Sequence, residues 1–288
     1  MSRDNVLEGV IDLHIHTAPD VRERRMDDLD IMEAAVARKV RAAVFKSHHI
    51  TSVQRAIIAN KVKSEKYPDS DFQAFGGIVL NRFMGGLNPY ALETALKLGG
   101  KMVWLPTLTS ENHIERQGKK SSVPPVKVTE NGKIVPELRD IFELIKDFDA
   151  VLETGHISDK ECFIVAEAAR NAGVKKIVIT HPEFWIVGMS LEAQQKIVKD
   201  YDVLLEHVYA QPIGGGAYKK NLADNVEAMK TIGCEHFIVA TDSGQTQNPF
   251  WYESLTEYIN YLYDVGGFTE EQVNTMTKIN PGKMLGID

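Results

Sequence analysis

Ile11-Asp12-Leu13-His14-Ile15-His16 is an apolar run that carries two histidines two residues apart and then stops. In a strand, residues two apart face the same side, so both imidazoles are expected to point one way. Four more segments have the same build: Ala43-Val44-Phe45-Lys46-Ser47-His48-His49, Val151-Leu152-Glu153-Thr154-Gly155-His156, Ile177-Val178-Ile179-Thr180-His181 and Phe237-Ile238-Val239-Ala240-Thr241-Asp242. Each is apolar and ends in His or Asp ahead of a turn or helix signal. The strands of a parallel barrel open their C-terminal ends at one mouth, so residues far apart in sequence would meet there as a cup of imidazoles and carboxylates. Such a cup is how a protein binds a divalent metal.

Working outward, eight short apolar runs read as strands, at 10–16, 42–47, 73–80, 102–107, 150–155, 176–180, 203–208 and 237–241. Several are apolar on both faces, as buried parallel strands are. Helical patterns lie between them. Asp27 to Arg38 carries Leu29, Ile31, Met32, Ala35 and Val36 on one stripe, and Thr51 is placed to cap a helix running to Lys66. Asn88-Pro89 opens a helix that Gly99-Gly100 closes, and Ser158 with Glu161 forms a capping box for one that Gly173 ends. Ser190 opens the next, and Asn221 to Ile232 follows, closed by Gly233. Alternating strands and helices predict βαβ units, and eight of them predict a closed (β/α)8 TIM barrel as a single domain over residues 1–288. Such a barrel takes about 250 residues.

One connection is long. Residues 109–136, after the fourth strand, are polar and rich in Gly and Pro, which predicts a lid; Asn131-Gly132 within them predicts a small hairpin. Pro212-Ile213-Gly214-Gly215-Gly216 forms a second loop after the seventh strand.

The net charge of −7 argues against non-specific nucleic-acid binding. No apolar stretch approaches the length of a membrane span, and the start has no secretory pattern, so a cytoplasmic protein is expected. Cys162 and Cys234 form no disulfide framework. The expected partner is a small-molecule substrate, with pairing of identical copies left open.

His14-x-His16 after Asp12, with Thr17 behind it and Thr241-Asp242 on the last strand, resembles the amidohydrolase superfamily of metal-dependent hydrolases. Lys46-Ser47-His48-His49 and Gly76-Gly77-Ile78-Val79-Leu80-Asn81 resemble an uncharacterised amidohydrolase-like family. The resemblance implies His14, His16, His156, His181 and Asp242 as metal ligands. It departs at strand four, where Trp104-Leu105-Pro106-Thr107 stands in place of the bridging Lys or Glu of many members; this favours one ion, with Lys46 or Glu153 as alternative bridges. Asp12 to Thr17 with His48 also resembles the histidinol-phosphatase-like phosphoesterases.

Imidazoles and a carboxylate suit Zn²⁺ first, with Mn²⁺ or Fe²⁺ as alternatives. The expected reaction is hydrolysis of a small anionic substrate by a metal-activated water, with Asp242 as general base and Lys46 and His48 polarising a substrate oxygen. Arg22, Arg24 and Arg25 after strand one, and Arg82 after strand three, suit an anionic group. His207 beside Glu206 is a further substrate contact. His113, in the long loop, reads as solvated, and Trp185, Phe250 and Trp251 read as packing. A phosphoesterase, a metal-dependent decarboxylase and a non-catalytic ligand-binding barrel are the alternatives.

Overall fold

A computed structural model describes residues 5–118 and 122–287. All eight apolar runs are strands: β1 (Ile11–His16), β2 (Ala42–Lys46), β3 (Gln73–Val79), β4 (Met102–Trp104), β5 (Val151–Glu153), β6 (Lys176–Thr180), β7 (Leu204–Val208) and β8 (Phe237–Ala240). They lie in one sheet in the order β1 to β8, and the ladders between them are parallel. Helices α1 (Asp28–Ala37), α2 (Val53–Lys66), α3 (Pro89–Lys97), α4 (Glu111–Gln117), α5 (Glu137–Asp147), α6 (Asp159–Asn171), α7 (Leu191–Tyr201), α8 (Leu222–Ile232) and α9 (Trp251–Asp264) lie between or after the strands. This is the (β/α)8 fold. No helix among the described residues is long and apolar enough to cross a membrane.

Local chemistry explains most helix starts. Asp27 accepts from the N–H groups of Leu29 and Asp30 while Asp30 reaches back to Asp27, and Ser158 and Glu161 do the same for α6. Asn88 caps α3, with Pro89 at its first position. Two expectations need correction. Leu29 is 40% exposed, so the buried face of α1 is Ile31, Met32 and Ala35. Thr51 does not cap α2: Ser52 holds the N-cap position and its hydroxyl donates to the Phe45 carbonyl, while Thr51 donates to that of Gly77.

The segment 109–136 holds more structure than its composition predicts. Ser110 caps α4, and Asn131-Gly132, both at positive φ, turn the hairpin Thr129–Glu130/Lys133–Ile134. Lys119 to Ser121 of the expected lid lie outside the described residues. Pro212 to Gly216 also belongs to a hairpin, Ala210–Gly214 against Ala217–Lys220.

By internal contacts the chain divides into two compact units, residues 5–46, 52–76 and 207–287 in the first and 47–51 and 77–206 in the second. Each has its own buried core: Leu13, Ile15, Phe45 and Phe237 in the first, Val103, Trp104, Ile141 and Ile179 in the second.

Candidate metal centre and histidine cluster

In the first unit the backbone brings three ligand side chains together. His16 N–H donates to the Ser243 carbonyl (2.8 Å) and Asp242 N–H to the His14 carbonyl (2.9 Å), so residue 242 lies alongside the end of β1. Asp242 sits at φ +50°, a left-handed conformation that Asp tolerates better than most residues. Its Oδ1 lies 3.2 Å from His14 Nε2 and 3.1 Å from His16 Nε2, and all three residues are buried. Among the described residues this trio is the group of His, Cys, Asp and Glu side chains close enough to hold one metal ion.

The donor set fits such an ion. Asp242 Oδ1 is buried yet accepts no well-aligned hydrogen bond, although two imidazole nitrogens face it. Burial alone would raise the Asp242 carboxyl, but the neighbouring His14 and His16 outweigh it and hold the group well below its ordinary value, as a carboxylate. Burial, and then the Arg24 guanidinium, hold His16 well below the ordinary histidine value, so its ring is neutral near pH 7. A carboxylate and a neutral imidazole are the forms that bind metal.

Surrounding groups fix this trio. Asp12 Oδ1 accepts from the His14 and Thr241 amides, and Oδ2 from the Thr241 hydroxyl (2.7 Å) and Trp251 Nε1 (2.9 Å). Its burial pushes its carboxyl up to about 6 despite those donors. Gly244, at φ +127°, packs so closely that a Cβ there would stand 1.8 Å from the His16 carbonyl oxygen. Lys46, fully buried, places Nζ 2.9 Å from His14 Nε2. Arg24 pairs with Asp20 (2.6 Å) and reaches His16 Nδ1 (3.3 Å).

The other basic residues are placed differently. Arg22 is exposed on the same loop. Arg25 donates to the Thr246 carbonyl and lies over the Phe250 ring, while Arg82 donates to the carbonyls of Pro124 and Pro125; both thus anchor loops in the structure. His207 is buried, with Nδ1 3.0 Å from Asn225 Oδ1 and its ring edge-on to Phe237. Asn225 Nδ2 donates to the Val208 carbonyl, which turns Oδ1 toward the ring and places the His207 proton on Nδ1.

The second unit holds a histidine cluster. His156 packs against His113 (ring centroids 4.9 Å apart), His181 (5.0 Å) and His48 (5.9 Å), and Phe184 closes on His181 at 4.7 Å. His156 and His181, expected as ligands, both lie here, as does Glu153, whose Oε2 accepts from the Thr180 hydroxyl at 2.5 Å. His113, read from sequence as solvated, is buried: its Nδ1 lies 2.7 Å from His156 Nδ1 and its Nε2 2.7 Å from Gln117 Nε2. Helix α4 delivers it. Ser110 and Asn112 on that helix's first turn both donate to the His156 carbonyl. The available sequence signal is weak, a Ser N-cap ahead of a seven-residue polar helix.

The fold is shared with hydrolases of the amidohydrolase type. A Pseudomonas putida protein provisionally assigned as a 2-pyrone-4,6-dicarboxylic acid hydrolase is 14% identical, covers 96% of this chain and 97% of its own, and superposes with a TM-score of 0.62. An Acinetobacter baumannii counterpart, with citric acid bound, is 12% identical over 97% and 100% with a TM-score of 0.61. A Pseudomonas aeruginosa amidohydrolase is 13% identical over 96% and 95% with a TM-score of 0.64. No curated protein matches the chain in sequence. The chain belongs to a family of unknown function, DUF6282, whose model matches residues 9–206. That match takes in His14, His16, Lys46 and His48 and ends before Asp242.

Proposed function

We propose that this protein is a metal-dependent hydrolase of a small anionic substrate, and that His14, His16 and Asp242 hold its divalent ion. The observation that carries this is the buried trio, two imidazole nitrogens facing one carboxylate oxygen that takes no aligned hydrogen bond. A divalent ion bound there supplies Lewis acidity, which makes water a nucleophile near neutral pH. Zinc is the first choice for this donor set, with Mn²⁺ and Fe²⁺ next.

The chain's own groups do the rest. Asp242, held as a carboxylate at a strand end, orients water and accepts its proton. Asp12 and Thr241 keep the His14 and Asp242 backbones in place. Lys46 brings a donor beside His14. Arg24 puts positive charge beside His16, and Arg22 stands exposed on the same loop, which suits a carboxylate on the substrate. An acidic substrate also agrees with the dicarboxylic acid named for two structural neighbours. The phosphoesterase alternative needs further acidic ligands, and the trio has a single carboxylate. A cytoplasmic setting suits the two buried free cysteines.

The test is elemental analysis of protein purified without chelators or a nickel column, with a panel of lactones, amides and phosphoesters. About one transition-metal ion per chain is expected, and the His14→Ala/His16→Ala variant should lose it. Equal metal content in the two proteins would sink the site. Bound metal with no turnover on any panel member would favour a ligand-binding barrel.

A further inference from the structure

At the opening residue of β1, the end of that strand remote from His14 and His16, lies a cleft of about 400 Å³ in the first unit. Its apolar lining is Ile11, Ile279 and Ile287, and its charged lining is Arg41, Lys278 and Lys283. Among the described residues no carboxylate lines it, in a chain whose net charge is −7.

Local structure builds this cleft. After α9 the chain runs through α10 (Glu270–Asn274), a π-helical turn (Thr275–Ile279) and α11 (Asn280–Leu285). Such a turn is wider than an α turn, is rare, and frequently marks a functional site. This one delivers Lys278 and Ile279 to the cleft, and Ile279 is left 47% exposed. Lys278 lays its stem along Gly9, where a Cβ would stand 3.5 Å from Lys278 Cδ and 3.7 Å from its Nζ. Gly282 lets the last turn fold back: a Cβ there would stand 2.8 Å from the Ile287 carbonyl oxygen, and Ile287 N–H donates to the Gly282 carbonyl (3.0 Å). Arg41 is held by its Nη1, which donates to the Asp71 carbonyl (2.6 Å).

The two kinds of lining select a ligand together. Three cations without a lining carboxylate favour an anion, which makes charge-assisted hydrogen bonds to them. The isoleucine surfaces favour an apolar body that takes them out of water. A bare inorganic anion leaves the isoleucines wet, and a neutral apolar molecule leaves the cations uncompensated. The volume is that of a small-molecule site. We propose that this cleft binds a small organic acid with an apolar body, of the class of a medium-chain carboxylate, and that it is separate from the metal centre. The proposal does not depend on the hydrolase reading.

The experiment is isothermal titration of the purified protein with sodium octanoate, octanamide and sodium acetate. Octanoate should bind, and the other two should each bind about tenfold more weakly or worse, because each offers only one of the two features. No octanoate binding overturns the proposal, as does octanamide or acetate binding as tightly as octanoate. Lys278→Met/Lys283→Met keeps apolar stems and should weaken octanoate by about tenfold or more, whereas His14→Ala/His16→Ala should leave its affinity unchanged. The reverse pattern would put the acid at the metal trio and overturn the cleft. If the double Lys variant does not fold, Lys283→Met alone, at an exposed residue, decides. Isoleucine δ1-methyl ¹³C spectra locate the ligand: Ile11, Ile279 and Ile287 should shift on adding octanoate, and shifts that spare all three overturn the site. Phosphatidylglycerol vesicles separate a free acid from a lipid surface. The protein should stay in the supernatant, and co-sedimentation that the double Lys variant loses would overturn the free-acid assignment.

Discussion

Asp242→Asn is expected to lower kcat by about 10²–10⁴-fold, the usual cost of removing a general base. The expectation follows from where the side chain sits and from what the substitution leaves alone. Asparagine matches aspartate in size and tolerates the left-handed backbone found at this position. The amide N–H bond to the His14 carbonyl does not depend on the side chain. What disappears is an oxygen able to take a proton. His14 and His16 remain to hold metal, though more weakly without the carboxylate, so the assay belongs in protein loaded with saturating metal. Steady-state kinetics, elemental analysis and a thermal melt together check the prediction: turnover collapses while fold and most of the metal persist. A kcat near that of wild type in metal-loaded protein would move the base elsewhere, with His207 and Glu153 the next to examine.

The second large effect is on stability. Asp12→Ala removes the acceptor shared by the Thr241 hydroxyl, Trp251 Nε1 and the amides of His14 and Thr241. A buried donor left without an acceptor costs about 1–3 kcal/mol, and relaxation recovers part of the sum. A net loss of about 3–5 kcal/mol is expected, at the upper end of what point mutations do. At roughly 2–4 °C per kcal/mol, the melting temperature should fall by about 6–20 °C. Trp251→Phe removes a single donor and should cost less, and the double variant should cost less than the sum, because the indole would already have lost its partner. Urea unfolding of the three variants measures all of this. A loss below about 1 kcal/mol for Asp12→Ala would mean that water replaces the carboxylate at the site.

The fold was legible because hydrophobic burial writes itself into the chain. Phe237 to Ala240 is apolar on both faces, Ile11 to His16 alternates apolar residues with Asp12, His14 and His16, and caps such as Ser158 with Glu161 are local pairings three residues apart. The trio of His14, His16 and Asp242 was legible for a related reason, since strand alternation sets where His14 and His16 point and strand ends share a side. What sequence could not supply was the fate of polar side chains in loops. Arg24 and Arg25 are neighbours of equal charge, yet one reaches His16 and the other lies over Phe250. Asn81 and Thr107 are 26 positions apart, and nothing in either segment announces that a carboxamide will be trapped between two backbone amides. His113 sits in a polar stretch whose composition is the same whether it is solvated or buried. These outcomes depend on tertiary hydrogen bonding, and composition and periodicity carry no record of it.

Gly244 holds no proton, binds no ligand and has no side chain to lose, yet it lies flush against the carbonyl of His16. In a saturation library selected for function, position 244 should therefore behave like a catalytic one. A single added methyl group, even that of alanine, would have to push the His16 backbone aside, and every non-glycine codon should drop out. Survivor counts alone would then mark residue 244 as part of the chemistry, whereas its contribution is the empty volume that lets two strand ends meet.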